Sequence, residues 1–156
     1  MLKYLLVLLF IFTGCSVKMP YTSSQSYFVV IKNSQFALAD TGFIKKRDGD
    51  LNLQLFSAST PVFDLHVKDS ICVDLLCLDR ESFNQKFFGY GHYNTFVDEL
   101  FNMQPIYNQT NIVKNAAGFE QKIKTQNYDI IYRVANGNLY FKDKQNRILI
   151  KIKELK

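Results

Sequence analysis

A chain of 156 residues holds one domain of ordinary size, and with 47% apolar and 21% charged residues it falls in the globular range and outside the disordered one. Three cysteines and two histidines are too few for a disulfide scaffold or a zinc-finger array, and a net charge of +5 spread along the chain does not argue for nucleic acid. With 14 Phe, 9 Tyr and no Trp, the core and any apolar site must be built on Phe and Tyr rings.

The chain opens on a short basic start, Met1-Leu2-Lys3-Tyr4, followed by apolar residues 5–12 and the small pair Thr13-Gly14 before Cys15. That order predicts a signal peptide over residues 1–14, because the apolar run is far below the roughly 20 residues a membrane-spanning helix needs. Phe12-Thr13-Gly14-Cys15 resembles the lipobox of bacterial lipoproteins, in which the cysteine is lipidated and becomes the first residue. The resemblance implies an acyl anchor on Cys15, palmitate among its chains, and membrane lipid as a partner. It also implies a cell-envelope address. Ser16 after the lipidated position, where Asp is a familiar inner-membrane retention signal, favours the outer membrane facing the periplasm. Residues 15–26, with Pro20, Ser23, Ser24, Gln25 and Ser26, then read as a lipidated polar tether, and the domain is expected to cover residues 27–156.

Residues 27–31 (Tyr-Phe-Val-Val-Ile) favour a strand, and Phe36-Ala37-Leu38-Ala39 continues that character. After Arg47-Asp48-Gly49-Asp50, the residues Leu51, Leu53 and Leu55 alternate with polar neighbours, as do Phe63, Leu65 and Val67, so each run predicts a half-buried strand. Cys72 and Cys77 stand in a C-x₄-C spacing, and in an oxidising compartment they are disulfide candidates. A two-residue turn at Asp74-Leu75 would set Val73 opposite Leu76 and the cysteines opposite each other, at the roughly 4.5–5.5 Å Cα separation a disulfide accepts. The same turn puts Leu75 and Leu76 at the tip of a stapled hairpin. They are read either as packed on helices or as an apolar contact tip for lipid, an acyl chain or a partner protein.

The period then changes. Asp79 is placed to cap a helix bearing Phe83, Phe87 and Phe88, with Gly89 to end it. Thr95 with Asp98 opens a second, in which Phe96, Leu100 and Met103 share a face before Pro105. Residues 107–126 read as a polar loop with a strand or short helix around 119–124. Residues 128–134, Asn136-Gly137 and residues 138–142 form a hairpin signal, because Asn-Gly accepts the positive φ angles of a type I′ turn. A further turn at residues 143–146 leads to Ile148, Ile150 and Ile152 in alternation. The sum predicts an α+β domain, a curved, half-barrel-like antiparallel sheet with two short helices packed on one face.

Few residues suggest chemistry. His66 falls on the polar side of a strand and His92 in a glycine-containing link between helices. Neither has a second metal ligand at helical spacing, so both are read as surface or loop histidines and no metal or cofactor is implied. No nucleophile elbow, phosphate loop or paired-carboxylate signature appears, which points away from an enzyme. Phe83, Phe87, Phe96, Leu100 and Phe101 are candidates for the lining of an apolar cavity, or for plain core. Lys142, Lys144, Lys151, Lys153, Lys156 and Arg147 make the last strands basic, read as a solvated face that could meet anionic head groups.

Lipobox, tether and a sheet interrupted by short helices are together similar in layout to small outer-membrane lipoproteins of the LolB type. The open half-barrel of that family receives the acyl chains of lipoproteins on their way to the outer membrane. The resemblance carries over no individual residue. It implies a lipid-anchored, non-enzymatic protein that binds acyl chains or lipoprotein cargo. The alternatives are a structural or assembly accessory that holds another envelope protein through a sheet edge or apolar tip, and a small-ligand carrier.

Overall fold

The computed structural model describes residues 21–156. The expected signal segment 1–14, Cys15 and the first part of the expected tether lie outside the described residues. Among the described residues eleven strands form one sheet: β1 (Ser23–Lys32), β2 (Ala37–Arg47), β3 (Asp50–Ser57), β4 (Thr60–Val67), β5 (Ile71–Val73), β6 (Leu76–Leu78), β7 (Ile112–Asn115), β8 (Gly118–Lys124), β9 (Asp129–Ala135), β10 (Asn138–Asp143) and β11 (Ile148–Glu154). Their spatial order is β6-β5-β4-β3-β2-β1-β11-β10-β9-β8-β7, with every pairing antiparallel. Two meanders, β1–β6 and β7–β11, are joined by one long-range pairing, the first strand against the last, which sets Val29 opposite Ile152 and Ile31 opposite Ile150, and the sheet stays open at β6 and β7.

The alternation of side chains gives the sheet two faces. Tyr27, Val29 and Ile31 of β1, Leu51, Leu53 and Leu55 of β3, and Ile148, Ile150 and Ile152 of β11 point to one side and are buried there. Helix α1 (Arg80–Phe88) and the shorter α2 (Phe96–Phe101) lie between β6 and β7 in the chain and cover that inner side with Phe83, Phe87, Phe88, Phe96, Val97, Leu100 and Phe101. Asn136 (φ 50°) and Gly137 (φ 74°) make the β9–β10 turn, both in the left-handed region a type I′ turn requires.

The expected α+β class is corrected by this topology. Strand takes 54% of the described residues and helix 13%, and only α1 exceeds six residues, so the domain is an antiparallel β structure and the helices do not form a layer. One stretch escaped the reading and a second was read only in part, since the strand alternative at residues 119–124 holds while β7 was taken as loop. Ser23–Ser26, assigned to the tether, are strand paired with Lys46–Phe43, and Thr22 donates its N–H to the Lys46 carbonyl, so the domain begins ahead of Tyr27. Polar serines hide a strand whose stability comes from its backbone ladder. Residues 107–126 hold β7 and β8, whose inward residues include the fully buried amide Gln121 in place of a hydrophobe.

Gln121 explains that segment. Its Oε1 accepts from the Ile106 N–H at 2.9 Å, and its Nε2 donates to the Ile106 carbonyl at 2.9 Å and the Thr110 carbonyl at 2.8 Å. Between those anchors Tyr107, Asn108 and Gln109 take φ of 49°, 51° and 63°, three successive left-handed residues none of which is glycine. Each costs about 1–3 kcal/mol and persists only where the surroundings over-determine it; here a buried amide holds the turn from both ends.

Candidate functional site

The local sequence fixes α1 at its two ends. Asp79 Oδ1 accepts from the Ser82 N–H at 2.8 Å, and Gly89 (φ 71°) ends the helix in the left-handed conformation. Arg80 ties the first turn to the rest of the fold, bonding the Asp98 carboxylate of α2, the Asn94 carbonyl and the Lys68 carbonyl just past β4. At the other end Asn33, buried, accepts from the Gln35 and Phe36 N–H groups through Oδ1 and donates from Nδ2 to the Phe87 carbonyl at 3.3 Å. One side chain therefore shapes the β1–β2 loop and docks it on α1.

That docking builds an aromatic wall. Phe83 and Phe87 stack with ring centroids 5.1 Å apart, and Phe36 meets Phe87 at 5.9 Å and Phe63 at 6.0 Å. Opposite stands the hairpin β5–β6, which contributes Val73 and Leu78. Between them runs an apolar groove of about 550 Å³, open to solvent, with Asp74, Leu75 and Leu76 at its mouth and Gln35 and Lys86 on its rim. The volume falls within the range of small-molecule sites.

The hairpin is stapled. Cys72 pairs with Cys77 in the register and the two form a disulfide, with Cα atoms 3.9 Å apart. Val73 faces Leu76, and Asp74 (φ 53°) starts the turn. Leu75 is fully exposed (100%) and Leu76 half exposed (53%). Leu75 is therefore free of any packing, while Leu76 borders the groove across from Phe83 and Phe87.

Of the five candidate lining residues, the structure brings only Phe83 and Phe87 to the groove. Phe96, Leu100 and Phe101 are fully buried and take the other of the two readings, plain core. The reason lies in the link between the helices. His92, read as a surface or loop histidine, does lie in the loop between the helices, but it is 4% exposed and stacks on Phe96 at 4.0 Å, while its Nδ1 meets the Tyr107 hydroxyl. Tyr107 in turn stacks on Tyr128 at 5.2 Å, so an aromatic plug fills the space above α2. Burial pushes the His92 pKa down to about 4, with only the Asp143 carboxylate acting the other way. Burial likewise pushes the Tyr107 phenol, and less strongly that of Tyr93, well above the usual range.

His66 lies on the outer face and bonds the buried carboxylate of Asp50, which also takes Arg47. Burial alone would raise the Asp50 pKa; the bonds from His66 and Arg47 outweigh it and hold the carboxyl below its ordinary value. Lys45 to Gln54 (2.8 Å) and Gln54 to Asp64 (2.9 Å) continue this polar ladder. Among the described residues no group of three or more His, Cys, Asp or Glu side chains could hold a metal ion. No described helix is long and apolar enough to cross a membrane.

Sequence reading missed Phe36, Val73, Leu78 and Lys86 as groove residues. Phe36 follows Asn33 in a short loop, and an Asx turn that throws a phenylalanine onto a neighbouring helix was the available signal. Compared with known proteins, the chain matches no protein-family model and none of the curated proteins.

Proposed function

We propose that this chain is a lipid-anchored cell-envelope protein that binds an acyl chain in the groove between α1 and the stapled hairpin. The observation that carries the reading is the groove itself: an aromatic floor of Phe36, Phe83 and Phe87, an aliphatic wall of Val73 and Leu78, and a fully exposed leucine at its mouth. Each methylene taken from water contributes about 0.8 kcal/mol, so eight buried methylenes supply roughly 6 kcal/mol. Lys86 on the rim suits a carboxylate or phosphate at the head of such a chain. Cys15 would tether the groove to the membrane that supplies or receives the chain.

The alternative, an accessory that grips another envelope protein, draws on a different feature. The inner core around Phe96, Leu100 and Phe101 is filled, and β6 is an open edge only three residues long. The two readings separate in one measurement. Native mass spectrometry of the full chain, loaded with palmitate or a diacylated lipopeptide, should show one retained acyl ligand. Leu78→Glu, which puts a charge on the groove wall, should abolish retention at unchanged far-ultraviolet circular dichroism. An unmodified chain that holds no acyl ligand overturns the carrier reading.

A further inference from the structure

The inner face accounts for the groove, but the outer face has its own pattern. On β1, Phe28 and Val30 alternate with the buried Tyr27, Val29 and Ile31, so they point outward; Phe28 lies opposite Thr41 on one side and Lys153 on the other. Phe43 is 41% exposed and meets Phe56 edge to face at 6.0 Å, and these two rings share a shallow outer hollow with Leu155, also 41% exposed. Single exposed hydrophobes need no explanation; a contiguous group of aromatic rings does.

Beside this patch the face turns basic. Lys151 and Lys153 of β11 and Lys142 of β10 are exposed, and Tyr140 stands opposite Lys151 with the Lys151 ammonium and the Arg133 guanidinium each 5.7 Å from its ring centre. No outward position of β1, β10 or β11 carries an acidic residue. Glu120 on β8 is already paired with Lys122 and Arg133. A phenylalanine patch bordered by uncompensated lysines complements a surface that is apolar beneath and anionic above.

The entry of the chain fixes which way this face looks. Tyr21 packs under the Arg47 guanidinium, 5.3 Å from its ring centre, and lines an outer-face depression with Lys45, Asn52 and Asp64. The described chain therefore begins on the outer face. Cys15 is six residues earlier, a reach of at most about 20 Å even fully extended.

We propose that the outer face of β1, β2, β10 and β11 lies on an anionic lipid surface, with Phe28, Phe43 and Leu155 at the head-group boundary and Lys142, Lys151 and Lys153 over the phosphates. The inference rests on the lipid anchor of the previous section but not on its groove. It leaves α1 and the groove on the side of the sheet turned away from that surface, free to meet cargo arriving from solution. Charges act on lipid phosphates only within a Debye length, about 8 Å in physiological salt, so the contact is close and salt-sensitive.

The test is amine footprinting of the full chain, with a membrane-impermeant acylating reagent, on vesicles of phosphatidylcholine alone or mixed with phosphatidylglycerol. Lys68 and Lys86 are exposed and off this surface, and serve as internal references. On mixed vesicles at low salt Lys142, Lys151 and Lys153 should react severalfold more slowly than the references, with the difference gone in high salt. Phe28→Ser with Phe43→Ser, both exposed and tolerable to the fold, should shrink the protection. A chain that co-floats with the vesicles but shows equal reactivity at all five lysines overturns the docking and leaves the anchor intact. A chain that does not co-float with either vesicle overturns both. Protection in native membranes but not on protein-free anionic vesicles would assign the face to an acidic protein, and the lipid proposal would be wrong.

Discussion

Helices α1 and α2 sit on the same face of one sheet, and both present phenylalanines to it, yet the ground around them differs. Above α2 the space is filled: His92 stacks on Phe96, Tyr107 on Tyr128, and the left-handed turn at residues 107–109 is clamped over them by Gln121. Beside α1 the sheet edge is a three-residue strand pair, and a groove is left there that Phe83 and Phe87 border, although each is itself only 3% and 6% exposed. An aromatic helix face is thus core or site according to what the next element does. Here the difference is made by the length of a hairpin and the rigidity of a link.

The largest effect that would break this comparison is a truncation in the filled region. Phe96→Ala removes a fully buried ring that packs on Phe88, His92, Tyr93 and Phe141, and should cost about 3–5 kcal/mol in urea unfolding. A loss below about 1 kcal/mol would mean the plug is loose and the two ends are alike.

A somewhat smaller effect comes from acid. His92 titrates near 4 in the fold against about 6.5 in the unfolded chain, so the unfolded state takes up a proton that the folded one refuses. Stability is whole above about pH 6.5, falls as the pH drops, and has lost about 3 kcal/mol by pH 4. Asp50, held below its ordinary value, keeps its share of stability through this window and gives it up only at lower pH. His92→Phe preserves the stack on Phe96 and should flatten the slope between pH 6.5 and 4.5, measured as the urea midpoint at each pH. An unchanged slope would place the responsible proton elsewhere.

How much of this could be read from the residues divides along the same line. The hairpin at Cys72–Cys77, the cap at Asp79, the stop at Gly89 and the Asn136-Gly137 turn were legible because each is a local event set by neighbouring residues. Class was misjudged because two helices with clear periodicity weighed more than the strands concealed at Ser23–Ser26 and Ile112–Asn115, whose polar or exposed side chains give no alternating apolar pattern. Phe96, Leu100 and Phe101 carry the same aromatic and aliphatic chemistry as Phe83 and Phe87. All five are buried, and only the long-range placement of His92 and Tyr107, with the turn held by an amide on β8, decides that the groove opens beside Phe83 and Phe87 and not beside the other three.

The smallest expected change in stability, and the sharpest contrast with the filled end, belongs to the hairpin tip. Leu75 is fully exposed and Leu76 half exposed, and both flank a turn that the disulfide already holds. Exchanging the pair, Leu75→Ser with Leu76→Ser, removes little buried area and should shift unfolding by no more than about 0.5 kcal/mol. Acyl-ligand retention should nonetheless drop, because the mouth of the groove loses the two side chains that would cover the end of a bound chain. Differential scanning calorimetry and native mass spectrometry on the same preparation read the two effects independently. If the melting temperature fell as far as it does for Phe96→Ala, the leucines would be structural, and the distinction between a sealed and an open end of the sheet would not hold.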